Sequence, residues 1–199
     1  VPGLLIAPKW RTMWSVTLRR LMGFMRKSVP RYLLPQIRDR SGECYLDFGD
    51  NVPVFLRSAN NPDSIDGLDV GYLLGDELRH WKQHAYHISL GRVRVPCKLS
   101  QAVFASTPAF NWMADEFNLE KKGRRLIVAP TRENLRNLKP DFIDNLRLSY
   151  SPRLQKAVLD GEFTVLEGAV YEEFDPNPRS SPWLVDYDEK RYLHERKTI

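Results

Sequence analysis

The chain has 199 residues, 42% hydrophobic and 28% charged, with 30 Lys and Arg against 25 Asp and Glu and a formal net charge of +5. That is the composition of an ordinary folded domain and excludes a disordered or fibrous protein. The longest apolar runs cover only a few residues, which excludes a membrane-spanning helix, and two cysteines, Cys44 and Cys97, are too few for a disulfide framework and fit a reducing compartment.

The first forty residues carry nine basic side chains (Lys9, Arg11, Arg19, Arg20, Arg26, Lys27, Arg31, Arg38 and Arg40) against the single acid Asp39. Such an end suits an anionic partner, whether nucleic acid, nucleotide or an acidic protein surface; the plainer alternative is a solvated helix face. Val1-Pro2-Gly3 runs straight into a strand-like segment without an initiator Met, as in a chain cut from something longer. Leu4–Ala7, stopped by Pro8, reads as a buried strand. From Trp10 to Lys27, Trp10, Met13, Trp14, Leu18, Leu21 and Met25 recur at three- and four-residue steps, so an amphipathic helix is expected with both tryptophans in the core. Pro30 and Pro35 break the chain after this helix. Glu43–Phe48 and Val52–Arg57 form a hairpin around Gly49-Asp50-Asn51, and Ser58–Gly67 is a polar loop.

Val70–Leu74 is the next apolar strand, ending at Gly75-Asp76-Glu77, and a helix is expected from Leu78 to about Val93. Ala102–Ala105 is a third strand, stopped by Ser106-Thr107-Pro108; Asn111–Leu119 reads as a short helix and Arg125–Ala129 as a fourth strand. Helical stretches come next at Arg132–Leu138, Pro140–Ser149 and Pro152–Asp160, and Pro176, Pro178 and Pro182 mark a linker or boundary. Strands alternating with helices indicate an α/β fold with a mostly parallel sheet.

The sharpest constellation is the acid pair Asp76-Glu77, placed where a buried strand emerges at its carboxyl edge, the edge at which open α/β sheets bind ligands. Asp76 can hold Mg²⁺, which takes oxygen ligands and keeps several waters; Glu77 can orient or deprotonate the water that attacks a γ-phosphate. Acids also favour the first turn of a helix, which is the plain reading of the same pair. Ser106 and Thr107, at the tip of the next strand, can hydrogen-bond a phosphate or that water, and are equally ordinary turn residues. His80, His84 and His87 would share one stripe of a helix, a spacing open to Zn²⁺ but lacking the Glu of H-E-x-x-H.

Taken in order, Arg57-Ser58-Ala59, Asn61-Pro62-Asp63-Ser64-Ile65-Asp66-Gly67-Leu68-Asp69, Leu73-Leu74-Gly75-Asp76-Glu77 and Ala105-Ser106-Thr107-Pro108 resemble the ATPase domain of bacteriophage large terminase subunits. Ala157–Phe163, Glu167–Tyr171 and Phe174-Asp175-Pro176 resemble the stretch that leads into the terminase nuclease domain. The resemblance implies a partial P-loop NTPase-like sheet flanked by helices and lacking the Walker A strand and loop. Residues 1–160 would be an incomplete ATPase core, and residues 161–199 a linker and the start of a nuclease segment. It implies Asp76 as the Walker B magnesium residue, Glu77 as the catalytic glutamate, and Ser106 and Thr107 as the motif that couples hydrolysis to movement. The implied cofactors are ATP and Mg²⁺. The implied partners are double-stranded DNA, a homo-oligomeric ring, the portal and the small terminase subunit, without a membrane, in the cytoplasm of an infected bacterial host. The parent protein would be a DNA-packaging ATPase with a metal-dependent endonuclease.

Three features depart from the family. No G-x-x-x-x-G-K-[ST] phosphate loop occurs in the sequence. In the family that loop precedes the strand corresponding to Leu4–Ala7, and its own strand lies centrally, so unpaired sheet edges are expected. Asp66 stands where many terminases carry an arginine proposed to act on a neighbour's ATP; Arg57 and Arg79 are the substitutes to consider, and no arginine finger is assigned. The nuclease carboxylates are not recognisable among Asp186, Asp188 and Glu189. A non-catalytic DNA-binding or assembly module derived from such a motor is the alternative reading.

Overall fold

All five residues of Gly3–Ala7 are buried, as an uninterrupted apolar run requires of a strand flanked on both sides. In the computed structural model, which describes residues 1–40, 42–49, 52–118 and 123–163, this strand, β1, lies inside a six-stranded sheet. The other strands are β2 (Gln36–Arg40), β3 (Glu43–Asp47), β4 (Pro53–Ser58), β5 (Tyr72–Asp76) and β6 (Gln101–Ala105), in the order β2-β3-β4-β1-β5-β6. Strands β4, β1, β5 and β6 run parallel, and β2 and β3 add an antiparallel edge. The fold is therefore α/β with a mostly parallel sheet flanked by helices.

Register decides which side chains share a face. Leu5 lies beside Leu56 and Leu74, and Leu74 beside Val103; Ile6 lies beside Arg57 and Gly75, and Gly75 beside Phe104. The first face is covered by helix α1, which comprises Trp10–Thr12, a π turn over Met13–Leu18 and Arg19–Ser28. Met13 and Leu18 pack there with Leu5, Ala7, Cys44, Leu46, Val54 and Leu56. Each large apolar side chain contributes about 1.5–3 kcal/mol when fully buried. Beyond α1, Leu74 and Val103 on this face are exposed, and β6 is the last strand of the sheet among the described residues.

The opposite face carries an aromatic cluster. Helix α2 (Gln83–Leu90) brings Tyr86 against Phe104, Trp112 and Phe117, and Trp81 stands edge-on to Phe104. Burial among these rings pushes the Tyr86 phenol above its ordinary value.

Several expected elements differ. Residues 36–40 form an edge strand where proline breaks alone were expected; its consecutive charged residues Arg38, Asp39 and Arg40 suit an edge open to water. The strand expected at Val70–Leu74 runs instead over Tyr72–Asp76, while Val70 makes an isolated bridge to Val93. The helix expected from Leu78 is a short 3₁₀ turn, Leu78–His80, interrupted at Trp81-Lys82 before α2 begins. Arg125–Ala129 is not a strand: Leu126, Ile127 and Val128 are exposed and pair with nothing in the described sheet. Trp10 and Trp14 are 43% and 41% exposed, stacked edge-to-face at 5.8 Å, rather than in the core. They lie towards the first turns of α1, and the burial of that helix falls instead on Met13, Thr17 and Leu18.

A second compact unit begins at Ala129. Its described part contains the 3₁₀ turn Thr131–Asn137, the helix Phe142–Ser149, and Pro152–Gln155 running into a π turn over Lys156–Asp160. Ser151 caps the last of these by accepting from the Leu154 amide, and Thr131 donates to the Val158 carbonyl at 2.7 Å. No helix among the described residues is long and apolar enough to cross a membrane. The nuclease-segment residues from 164 onward, with Asp186, Asp188 and Glu189, lie outside the described residues, as do Asp50 and Asn51 of the expected hairpin turn.

Candidate functional site

The connection leaving β1 crosses the first face through α1, whereas the one leaving β5 crosses the aromatic face through α2. Adjacent parallel strands whose connections depart to opposite faces open a crevice at their carboxyl ends, and open α/β sheets bind ligands there. Asp76 is the last residue of β5 and lies on that crevice.

Two hydrogen bonds fix Asp76. Its Oδ2 accepts from the Thr17 hydroxyl of α1 at 2.5 Å, and its backbone carbonyl accepts from the Trp81 indole N–H at 3.0 Å. Thr17 was not picked out from sequence. The available signal was its phase: it occupies an apolar position of α1, seven residues after Trp10 and four before Leu21, and a polar side chain there needs a partner.

Glu77 comes next in the left-handed region, at φ 48° and ψ 52°, the only non-glycine with positive φ among the described residues. A residue with a Cβ is disfavoured there by roughly 1–2 kcal/mol, and such strain concentrates at functional sites. The turn places the Glu77 Oε2 3.7 Å from the Arg79 Nε, an ion-pair contact without a hydrogen bond, with that oxygen shielded from water. Arg79 in turn donates through Nε to the His80 Nε2 at 3.1 Å.

Asp76 pairs in register with Ala105, so Ser106 and Thr107 emerge beside the acids. The Ser106 hydroxyl accepts from the Arg79 amide at 2.9 Å and donates to the Thr107 carbonyl at 3.0 Å. Asn111 also reaches the Arg79 carbonyl, and the Trp112 indole donates to the Trp81 carbonyl at 3.0 Å. All four expected site residues thus share one edge, and the turn after β5 is tied to the loop after β6.

Gly75 permits this packing. A Cβ there would meet the Phe104 ring below contact distance and the Trp81 Cη2 at 3.0 Å. Gly75→Ala is expected to cost about 1–3 kcal/mol by overpacking, measured as a lowered urea midpoint. An unchanged midpoint would mean that the two rings can withdraw freely.

Both candidate arginines make contacts within their own chain. Arg57 is 7% exposed and fully engaged, donating to the Ser64 carbonyl at 2.7 Å, the Leu56 carbonyl at 2.9 Å and Glu43 at 2.9 Å. Arg79 faces the chain's own Glu77. Asp66 is paired with Arg92 at 3.1 Å. The histidine stripe is broken because His80 sits in the 3₁₀ turn while His84 and His87 belong to α2. No group of three His, Cys, Asp or Glu among the described residues could hold a metal ion by itself. Asp76 supplies one half-buried carboxylate at the crevice, which fits Mg²⁺, an ion that commonly takes one or two carboxylates and retains waters. A cradle for phosphates is not provided by these residues.

A family model described as terminase large subunit, T4likevirus-type, N-terminal, matches residues 25–177. Among solved structures, the large terminase of a thermophilic bacteriophage (crystal form 2) is similar with a TM-score of 0.66 and 14% identity, over 88% of this chain and 44% of that one. The same phage's large terminase in complex with ADP gives 0.63 and 15%, over 87% and 43%. The ATPase domain of the Thermus phage P74-26 large terminase gives 0.56 and 16%, over 82% and 76%. At these identities the likeness is one of fold, and the chain spans under half the length of the thermophilic phage's protein. No curated protein matches the chain.

Proposed function

Because the chain belongs to the T4likevirus-type terminase large subunit family, through its N-terminal region, we propose that it forms part of the ATPase core of a viral DNA-packaging motor. The observation that carries this reading is the gathering of Asp76, Glu77, Ser106 and Thr107 at the carboxyl edge of β5 and β6, beside the β1–β5 crevice. The large terminase of the thermophilic bacteriophage has been solved with ADP, and ATP with Mg²⁺ is the cofactor pair proposed for this protein.

In this reading Asp76 holds Mg²⁺, which when bound neutralises charge on the transferring phosphoryl group. Glu77 accepts the proton of, or orients, the attacking water. Ser106, bonded to the Arg79 amide, conveys the position of the acid turn to the loop after β6. The phosphate cradle is not part of the chain, so hydrolysis by these residues alone is not proposed. Residues 1–160 form the core in this proposal, and 161–199 lead towards a nuclease domain. Double-stranded DNA, a homomeric ring, the portal and the small subunit are the proposed partners, in the cytoplasm of an infected host. The test is the coding DNA upstream of the Val1 codon. An in-frame G-x-x-x-x-G-K-[ST] between a strand and a helix supports the motor. Stop codons throughout would sink it in favour of a binding module.

That second reading is favoured by the charge on and around α1. Lys9, Arg11, Arg19, Arg20, Arg26, Lys27 and Arg31 are exposed and have no acidic partner among the described residues. By contrast Arg57, Arg79, Arg92, Arg94 and Arg124 each face an acid. Cations left unpaired along a helix can meet a phosphate backbone. Fluorescence anisotropy with a DNA duplex is expected to show affinity falling about a hundred-fold or more between roughly 50 and 200 mM salt. Arg19→Glu with Arg20→Glu should flatten the salt slope by about two. A slope untouched by that pair would remove α1 from the interface.

A further inference from the structure

We propose that Thr17 is a positioning residue for Asp76, delivered to the carboxylate by the π turn of α1; the inference rests on the reading of Asp76 as the divalent-cation residue. A hydroxyl in a helix ordinarily returns its proton to the carbonyl four residues earlier. Ser15 does so to Arg11 at 2.8 Å, Ser89 to Ala85 at 2.6 Å and Ser149 to Asn145 at 2.8 Å. Thr17 instead reaches across to the Asp76 Oδ2 at 2.5 Å, bridging elements 59 residues apart.

The backbone is altered at the same place. Met13–Leu18 forms a π turn, one of three among the described residues with Ala114–Asn118 and Lys156–Asp160, and it is the one that carries a hydroxyl to an acid of the sheet edge. Thr17 lies within it, 9% exposed between buried Met13 and Leu18. Burying a hydroxyl in that apolar layer is unfavourable without an acceptor, and Asp76 is the acceptor it has. The bond to Oδ2 restrains rotation of the carboxylate, and among the described residues no donor is bonded to Oδ1, which keeps its lone pairs for a cation. Because Mg²⁺ demands near-ideal octahedral geometry, fixing the carboxylate plane improves its binding. A hydrogen-bonded partner of this kind typically changes metal affinity by about 10- to 100-fold.

The experiment titrates Mn²⁺, as a spectroscopic probe for Mg²⁺, into the 199-residue chain and counts free ion by electron paramagnetic resonance. Thr17→Val, which keeps the shape and removes the proton donor, is expected to weaken Mn²⁺ binding about tenfold. Thr17→Ser should restore it to within about twofold, since the donor returns. Wild-type affinity in Thr17→Val, or equal weakening in both variants, would overturn the positioning role. Asp76→Asn separates the premise: if it binds Mn²⁺ as well as wild type, the cation role of Asp76 fails whatever Thr17 does. Should Thr17→Val not fold, wild-type proton NMR decides. A Thr17 hydroxyl resonance protected from exchange, and lost in Asp76→Ala, supports the bond; its absence from wild type refutes it.

Discussion

Glu77→Gln, placed in the protein encoded by the complete reading frame, is expected to leave ATP binding intact and to lower turnover by about 10²- to 10⁴-fold. The substitution keeps the length and hydrogen-bonding reach of the side chain but removes the carboxylate that would take a proton from water. It should not disturb the turn, because glutamine meets the same penalty as glutamate at φ 48°. Binding is read by nucleotide titration and turnover by phosphate release; substantial remaining turnover would end the role given to Glu77. Glycine at the same position separates strain from chemistry. It occupies this backbone region freely, so Glu77→Gly should stabilise the fold by about 1 kcal/mol while also lacking the carboxylate. A residue that costs stability where glycine would not is what a site retained for its chemistry looks like.

Arg57→Ala should destabilise the chain by about 3 kcal/mol, seen as a lower urea midpoint. The guanidinium supplies three hydrogen bonds from a buried position, and its removal strips the Ser64 and Leu56 carbonyls of a donor. Glu43 is half exposed and can be rehydrated, so its ion pair contributes little of the loss. Lysine should not rescue, since one ammonium cannot reproduce the fork. A change below about 1 kcal/mol would return Arg57 to the set of cations able to serve a neighbour.

The acid pair was legible in the sequence because its signal is local: an apolar strand, a glycine and two acids in succession. The neighbouring Ser106 and Thr107 were legible for the same reason. Local patterns served less well where packing decides the outcome. Gly75-Asp76 joined the strand because parallel pairing with β6 continues to Ala105. The helix expected from Leu78 broke at Trp81-Lys82, where the Trp81 ring closes over Gly75 and its indole binds the Asp76 carbonyl. Leu126–Val128 carries an apolar strand pattern, yet it pairs with no described strand.

What the sequence determined by itself was the α/β class, an apolar strand running up to the acid pair, the cationic first helix and the absence of a phosphate loop from these residues. All of these depend on residue type and spacing within one element. Tertiary structure alone decided that Thr17 meets Asp76, that Arg57 is spent inside the fold and that Ser106 holds the Arg79 amide. Each of those contacts joins residues from different elements. Their geometry comes from strand order, register and the widened turn of α1, none of which a linear pattern encodes.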